Sequence, residues 1–469
     1  MLKKLLAAFL AMTLLLGLVS CSKGNGKEGE DENKEEKQYT AADIVMESEN
    51  FQFTRGEFSY QFYLNYQDFL QYNQSYMQHF GFDTSASLKE QSYSEEQSWF
   101  DYFAEPSLEY MRQILVLCEG AKAAGIELDE QDQKEIDISL ESYEQYAADY
   151  QYDLVELLSG LFGKDVTLDV MRSYMEKDRL AYKYRDAMIA EYDLSEDELI
   201  GYLEANTDAF YFIDYLSYTF DEDTDPNAAA RAGEVAAVTD SASFETYVRT
   251  YEMETLEKGE DEVDLSTLSN TYVRKEADNA FSEWAFHGAA AGTTYVDKNE
   301  VDGIYTVYLL TRAPYLQDYV TKNFRYIYIT LDTYGTYEKA RTRADELLET
   351  WRTGDADAHS FGELAYNYSE DGATSYVGGL QENLGQAPSK FPDSVIEWLY
   401  NPDRQVGDVE VLRGNEAYFV VYFEGDGQIQ WKNQAKHALE EEKYITDMEA
   451  LSEVHETAVY EEVAQSLQA

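Results

Sequence analysis

The spacing of apolar positions separates three kinds of region along the chain. From about residue 40 to 211 the period is helical: Phe58, Phe62, Tyr66, Phe69, Tyr76 and Phe80 recur at intervals of three, four or seven, which lines them along one face of a long helix. Gly125 follows Ala121-Lys-Ala-Ala as a helix stop, and Asp129 stands where it caps the next helix. Ser195-Glu-Asp-Glu198 is a capping box ahead of Leu199, Tyr202 and Leu203. Between about 212 and 425 the pattern changes to strands that alternate, such as Tyr215-Leu-Ser-Tyr-Thr-Phe220 and Phe324-Arg-Tyr-Ile-Tyr-Ile329, interleaved with helices. Residues 431–469 return to a helical pattern (Trp431, Ala435, Leu439, Tyr444, Met448, Leu451), which predicts a helix that docks on the N-terminal helices, since alone it leaves an apolar face unburied.

The middle region repeats itself. Phe281-Ser-Glu-Trp284 corresponds to Val395-Ile-Glu-Trp398 at a shift of 114, and each Trp is followed 21 residues on by an aromatic in a strand, Tyr305 and Phe419. Ser243-Phe244 and Tyr251 match Ser360-Phe361 and Tyr368 at 117, and Arg231-Ala-Gly-Glu234 matches Arg343-Ala-Asp-Glu346 at 112. The predicted unit is strand, long helix, short helix, loop, helix, strand, an α+β module used twice. The expected fold class is therefore α+β multidomain: a mostly helical N-terminal domain joined by a C-terminal helix, plus two tandem modules.

The first twenty residues have another character. Lys3 and Lys4 precede an apolar run, Leu5 to Leu18, that is short for a membrane span. Leu18-Val-Ser-Cys21 matches the lipobox of bacterial lipoproteins, in which the cysteine is lipidated and becomes the mature N-terminus; the alternative is an ordinary signal peptide with an incidental cysteine. Residues after Cys21 are rich in Gly, Glu and Lys and reach Tyr39 without an aromatic, as a flexible tether does. The predicted organisation is 1–20 signal peptide, 21–39 lipidated cysteine and tether, 40–211 helical domain, 212–313 first module, 323–425 second module, and 431–469 C-terminal helix. The chain is placed on the outer face of a bacterial cytoplasmic membrane, attached through lipid alone.

Composition removes several functions. Lys+Arg number 36 against 92 Asp+Glu, a net charge of −56, so a phosphate backbone is repelled and nucleic-acid partners are not expected. Two cysteines exclude a disulfide framework and every Cys-based zinc site, and Cys118 on an apolar stretch reads as a small buried hydrophobe. The five histidines show no ligand spacing, so neither metal nor cofactor is expected. No Gly-x-Ser-x-Gly elbow or plausible Cys/His pair suggests a hydrolase. With 92 carboxylates, any pair proposed as a glycosidase site is uninformative.

One motif set carries more. Ser360-Phe-Gly-Glu-Leu-Ala-Tyr-Asn-Tyr-Ser-Glu-Asp371, then Gly378-Gly-Leu380, Phe391, Val406-Gly-Asp-Val409 and the closing strand resemble, in order and spacing, the parvulin-type peptidyl-prolyl isomerase domain. That rotamase occurs in foldase lipoproteins of the PrsA type and in SurA-like chaperones, whose architecture the mature chain resembles along nearly its whole length. The resemblance implies a catalytic cluster at Asp371, Tyr326 and Phe419 and a proline-binding cup of Leu380, Ala387 and Phe391. Tyr326 and Phe419 stand where the family carries histidines, and Phe419 neither donates nor accepts a hydrogen bond. In the first module Tyr215 and Tyr305 occupy those positions and Glu254 falls near the acidic one. Such chemistry needs no nucleophile: rotating an X–Pro bond against a barrier of roughly 18–20 kcal/mol requires an apolar cup and polar groups that favour the twisted amide.

The function implied is a lipid-anchored extracytoplasmic folding factor that binds unfolded or partly folded exported chains, with or without prolyl isomerase activity. A holdase with inactive isomerase modules is the alternative. A solute-binding lipoprotein is a third reading, disfavoured by six prolines and by an all-helical start.

Overall fold

In a computed structural model the described residues are 38–73, 82–274, 279–299, 301–387 and 389–469. Cys21, the signal segment, most of the tether, Tyr76 and Phe80 lie outside them. The chain forms two compact units: one runs to Asp193 and resumes over Glu440–Ala469, and the other is Leu194–Leu439.

The first unit is mostly helical: α1 (Arg55–Asn73), α2 (Trp99–Ala124), α3 (Glu130–Tyr150), α4 (Leu154–Phe162) and α5 (Leu168–Ala190). Local signals set these boundaries. Ser98 and Asp101 form a capping box at the start of α2, Gly125 ends it at φ 72°, and Asp129 accepts from the backbone N–H groups of Gln131 and Asp132 to start α3. The apolar stripe on α1 understates its burial, because every residue from Arg55 to Phe62 is buried. The polar members are tolerated there because each is paired. Arg55 binds Asp165 and the Ser466 hydroxyl, Glu57 accepts from Lys177 at 2.7 Å, and Ser59 donates to the Phe162 carbonyl at 2.6 Å. A small sheet of β1 (Ile44–Glu47) and β2 (Gln52–Thr54) gains its third strand from Ala458–Val459. The C-terminal Val463, Ala464 and Leu467 complete the same core as Phe58 and Trp99.

The second unit opens with α6 (Glu196–Ala205), capped by Ser195 and Glu198, whose Leu199 packs with Phe210 and with Ala435 of the helix Gln430–Val454. Two antiparallel sheets follow. The first comprises β3 (Tyr211–Asp221), β4 (Ser269–Val273), β5 (Thr294–Asn299) and β6 (Ile304–Leu316); the second comprises β7 (Val320–Thr330), β8 (Leu380–Leu384), β9 (Val409–Arg413) and β10 (Ala417–Ile429). Their orders are β4-β3-β6-β5 and β8-β7-β10-β9, one topology drawn twice. The helices repeat as well: α7 (Ala228–Val235), α8 (Ser241–Glu254) and α9 (Ala280–Phe286), then α10 (Tyr337–Thr353), α11 (Ala358–Tyr368) and α12 (Asp393–Leu399). Asp240 caps α8 through Ser243 as Asp357 caps α11 through Ser360, and Phe244 and Phe361 one residue further on are fully buried. The chain is an α+β multidomain protein, a mostly helical unit closed by its C-terminal segment plus two tandem α+β modules.

Candidate functional site

Alternation along β7 sends Phe324, Tyr326 and Tyr328 to one face of the second sheet and Ile327 and Ile329 to the other, against α10 and α11. After α11 the chain folds back beside β7. Glu370 N–H donates to the Tyr328 carbonyl at 2.8 Å, and the Ser369 hydroxyl accepts from Tyr328 N–H at 3.0 Å. This return fixes Asp371 next to Tyr326. Two glycines make the approach possible. Gly379, at φ 71°, passes so close to the Tyr326 backbone that a Cβ would sit 2.2 Å from its carbonyl oxygen, and Gly378, at φ 66°, lies against Gly362.

The Tyr326 hydroxyl donates to Asp371 Oδ2, and the Lys390 ammonium donates to the Tyr326 oxygen at 2.9 Å and lies 3.4 Å from the carboxylate. Thr374 Oγ1 donates to Asp371 Oδ2 at 3.2 Å, and Ala373 N–H to Oδ1 at 3.0 Å. Burial pushes the Asp371 carboxyl up, but the bonds from Tyr326 and Ala373 and the charge of Lys390 outweigh it and hold the pKa below the ordinary value. Burial and the carboxylate both raise the Tyr326 phenol. Burial pulls Lys390 down, yet its phenol and carboxylate partners leave it above the usual lysine value. At neutral pH the cluster is therefore carboxylate, neutral phenol and ammonium, with the ammonium donating to the phenol oxygen and the phenol to the carboxylate.

Aromatic rings cover the Tyr326–Asp371 pair, while the Lys390 side chain stays half exposed. Phe391 stands edge-on to Tyr326 at 5.1 Å between centroids, Phe419 lies 6.1 Å from both, and Phe324 is 5.1 Å from Phe391. Tyr326 is 1% exposed, Phe391 and Phe419 are each 6%, and Asp371 is 8%. Asp371, Tyr326, Phe391 and Phe419 are thus brought together, and the space between them is filled by their own side chains. Leu380 opens β8 opposite Arg325 in the register, and Gln381 rather than Leu380 pairs with Phe324. Ala387 is exposed in the segment between β8 and α12. The sequence reading missed Lys390 and Thr374. One of 36 bases in so acidic a chain, directly ahead of the pocket Phe391, was the available signal for Lys390.

The first module assembles differently. Tyr215 and Tyr305 lie in separate clusters on opposite faces of the first sheet, and Glu254 is exposed at the end of α8. Register explains this. Phe419 pairs with Tyr328, two residues past Tyr326; the residue that pairs two past Tyr215, opposite Ser217, is Tyr308. Tyr308, not Tyr305, is therefore the topological counterpart of Phe419, and it stacks on Phe281 at 4.0 Å. A spacing of 21 from each Trp had matched residues that point to opposite faces, because a strand exchanges its faces with every one-residue slip.

No protein-family model matches the chain. No curated protein matches it either. Among solved structures it is similar to the foldase protein PrsA from Streptococcus pneumoniae strain Canada MDR_19A, at 13% identity over 79% of this chain and 87% of that one, with a TM-score of 0.24. It is also similar to the foldase protein PrsA from Lactococcus lactis, at 11% identity over 71% of this chain and 97% of that one, with a TM-score of 0.21.

Proposed function

We propose that the chain is an extracytoplasmic folding factor, lipid-anchored through Cys21, that holds unfolded exported chains and does not isomerise their prolyl bonds. The observation that carries the second half of this reading is the filled space around Asp371. Prolyl isomerisation needs room for a pyrrolidine ring against an apolar wall and a polar group directed at the twisted amide. Here Phe391 and Phe419 occupy that room, and Tyr326 and Asp371 direct their polar atoms at one another. Admitting a proline would require moving packed aromatic rings, at a cost of several kcal/mol for each unpacked ring.

The holding role rests on apolar surface in the helical unit. Tyr72 is 78% exposed, Val155 is 69%, and Tyr150 at 52% tilts against Tyr146 and stacks with Tyr152. Tyrosines of this kind offer large contact area with a wettable end. An acidic surface keeps such a protein soluble and favours basic clients.

The test uses the intact chain and Asp371→Ala. Both are expected to suppress aggregation of a denatured client to the same extent, and neither to accelerate isomerisation of a proline tetrapeptide above background. Acceleration by the parent that Asp371→Ala abolishes would replace the holdase reading with an isomerase; failure of the parent to suppress aggregation would remove the folding-factor reading altogether.

A further inference from the structure

We propose that the outer edge of β5 in the first module captures an extended, basic segment of an unfolded chain as an added strand. The inference rests on the folding-factor reading and supplies a recognition mode for it. In the ladder between β5 and β6, Tyr295, Asp297 and Asn299 oppose Tyr308, Thr306 and Ile304. Leu310 N–H donates to the Thr293 carbonyl and Gly292 N–H to the Leu310 carbonyl, which sets the phase: odd-numbered residues of β5 bond inward to β6. The N–H and C=O groups of Thr294, Val296 and Lys298 therefore point away from the sheet. Because β5 is an edge strand, they form a ready template for another strand.

The equivalent edge in the second module is blunted. There the outward carbonyls belong to Val409, Val411 and Arg413; the Ser394 hydroxyl donates to Arg413 at 2.9 Å, and the Arg341 guanidinium reaches Val411 at 3.5 Å. Among the described residues no side chain reaches the outward carbonyls of β5. Beside this edge, Tyr295 and Trp284 form a half-buried aromatic shelf with centroids 5.5 Å apart, able to receive alternate side chains of an added strand.

Charge selects the occupant. Residues 212–313 contain 7 bases against 21 acids, and exposed Asp297 and Glu283 flank the shelf. Edge-to-edge pairing of two copies would bring two such modules, on chains of net charge −56, into contact. A basic extended peptide meets no such repulsion.

The test measures binding of a blocked nine-residue peptide of alternating lysine and leucine to the intact chain by fluorescence anisotropy. Two versions of the peptide carry N-methyl groups on alternate amides, one set for each edge of the strand. Binding is expected to fall at least tenfold for one version and to persist for the other, since only one edge of an added strand bonds to β5. Val296→Pro, which removes an outward N–H at a position where an edge strand tolerates proline, is expected to weaken binding at least tenfold, whereas Val296→Thr retains it. A glutamate–leucine peptide is expected to bind at least tenfold more weakly. Equal binding of both methylated versions, unchanged binding by Val296→Pro, equal binding of the acidic peptide, or a dimer that Val296→Pro dissociates would each overturn the proposal. If the parent still suppresses client aggregation in those cases, only the edge proposal is lost; if it does not, the folding-factor reading fails as well.

Discussion

The two modules share one sheet order and one helix order, yet they spend their aromatic residues in opposite ways. In the second, Phe324, Tyr326, Phe391 and Phe419 close over a paired carboxylate. In the first, Tyr215, Tyr272, Tyr295 and Tyr308 cross all four strands only half buried around Phe281. The edges differ in the same sense: side chains reach the Val411 and Arg413 carbonyls of β9, and among the described residues none reaches the outward carbonyls of β5. Topology is therefore the part the two modules hold in common, and what each surface can do follows from a handful of side chains laid on it.

The sharpest way to break this comparison is to remove one ring from each cluster. Phe324→Ala is expected to destabilise the second module by about 3–5 kcal/mol, because Phe324 is fully buried; Tyr215→Ala, half exposed, is expected to cost the first about 1–2 kcal/mol. Hydrogen exchange resolved by sheet reads each module separately, and equal losses would contradict the contrast between filled and open faces.

A smaller effect tests the buried cluster. Asp371→Ala leaves the Tyr326 hydroxyl buried without its acceptor and is expected to cost about 2 kcal/mol, whereas Glu254→Ala in the first module is expected to stay within about 0.5 kcal/mol. The pH dependence follows from the directions of the shifts. The lowered Asp371 pKa means its contribution is present above the unfolded carboxylate value, about 3.9, and is lost as pH falls through the lower folded value. Tyr326 and Lys390, both raised, contribute below their unfolded values of about 10 and lose that contribution as pH rises through the folded ones. Exchange protection of β7 is therefore expected to fall at both extremes in the parent, and Asp371→Asn to remove the acid limb. An acid limb that survives Asp371→Asn would assign it to other groups.

The smallest expected change is at the edge of β9. Ser394→Ala frees the Arg413 carbonyl at a cost of about 0.5–1 kcal/mol and makes that edge more like β5. Weak new binding of the lysine–leucine peptide at the second module, detected by exchange protection of β9, would sharpen the edge contrast; no gain would assign the difference to the aromatic shelf instead.

Much of the fold is legible in the chain because its signals are local. The caps at Ser98, Asp129 and Ser195, the stop at Gly125 and the paired Asp240 and Asp357 each act within a few residues. The Tyr326–Asp371 pairing could be read because a sequence of ordered motifs spans the turn between them. What could not be read depends on distant segments. Strand Ala458–Val459 is two residues long and has no period of its own; it exists because β1 offers it an edge. The buried polar side of α1 needs Lys177, Asp165 and Ser466, which lie more than a hundred residues away. Lys390 falls in a loop with no periodicity, so its place over Tyr326 is a tertiary fact. The face carrying Tyr308 required the strand register.

The segment 458–469 has a consequence for how the helical unit folds. Leu88 N–H donates to the Ala469 carbonyl, Gln465 reaches Asp101, and Arg55 is held by Ser466, so the helical unit is locked by a segment that follows both α+β modules in the chain. A chain emerging in vectorial order can finish both α+β modules while its helical unit still lacks a strand and part of its core. That unit waits, with part of its core uncovered, for residues 458–469 to arrive. Arrival of that segment therefore closes the core of the helical unit, and until then the protein passes through a stage in which it resembles an unfolded chain itself.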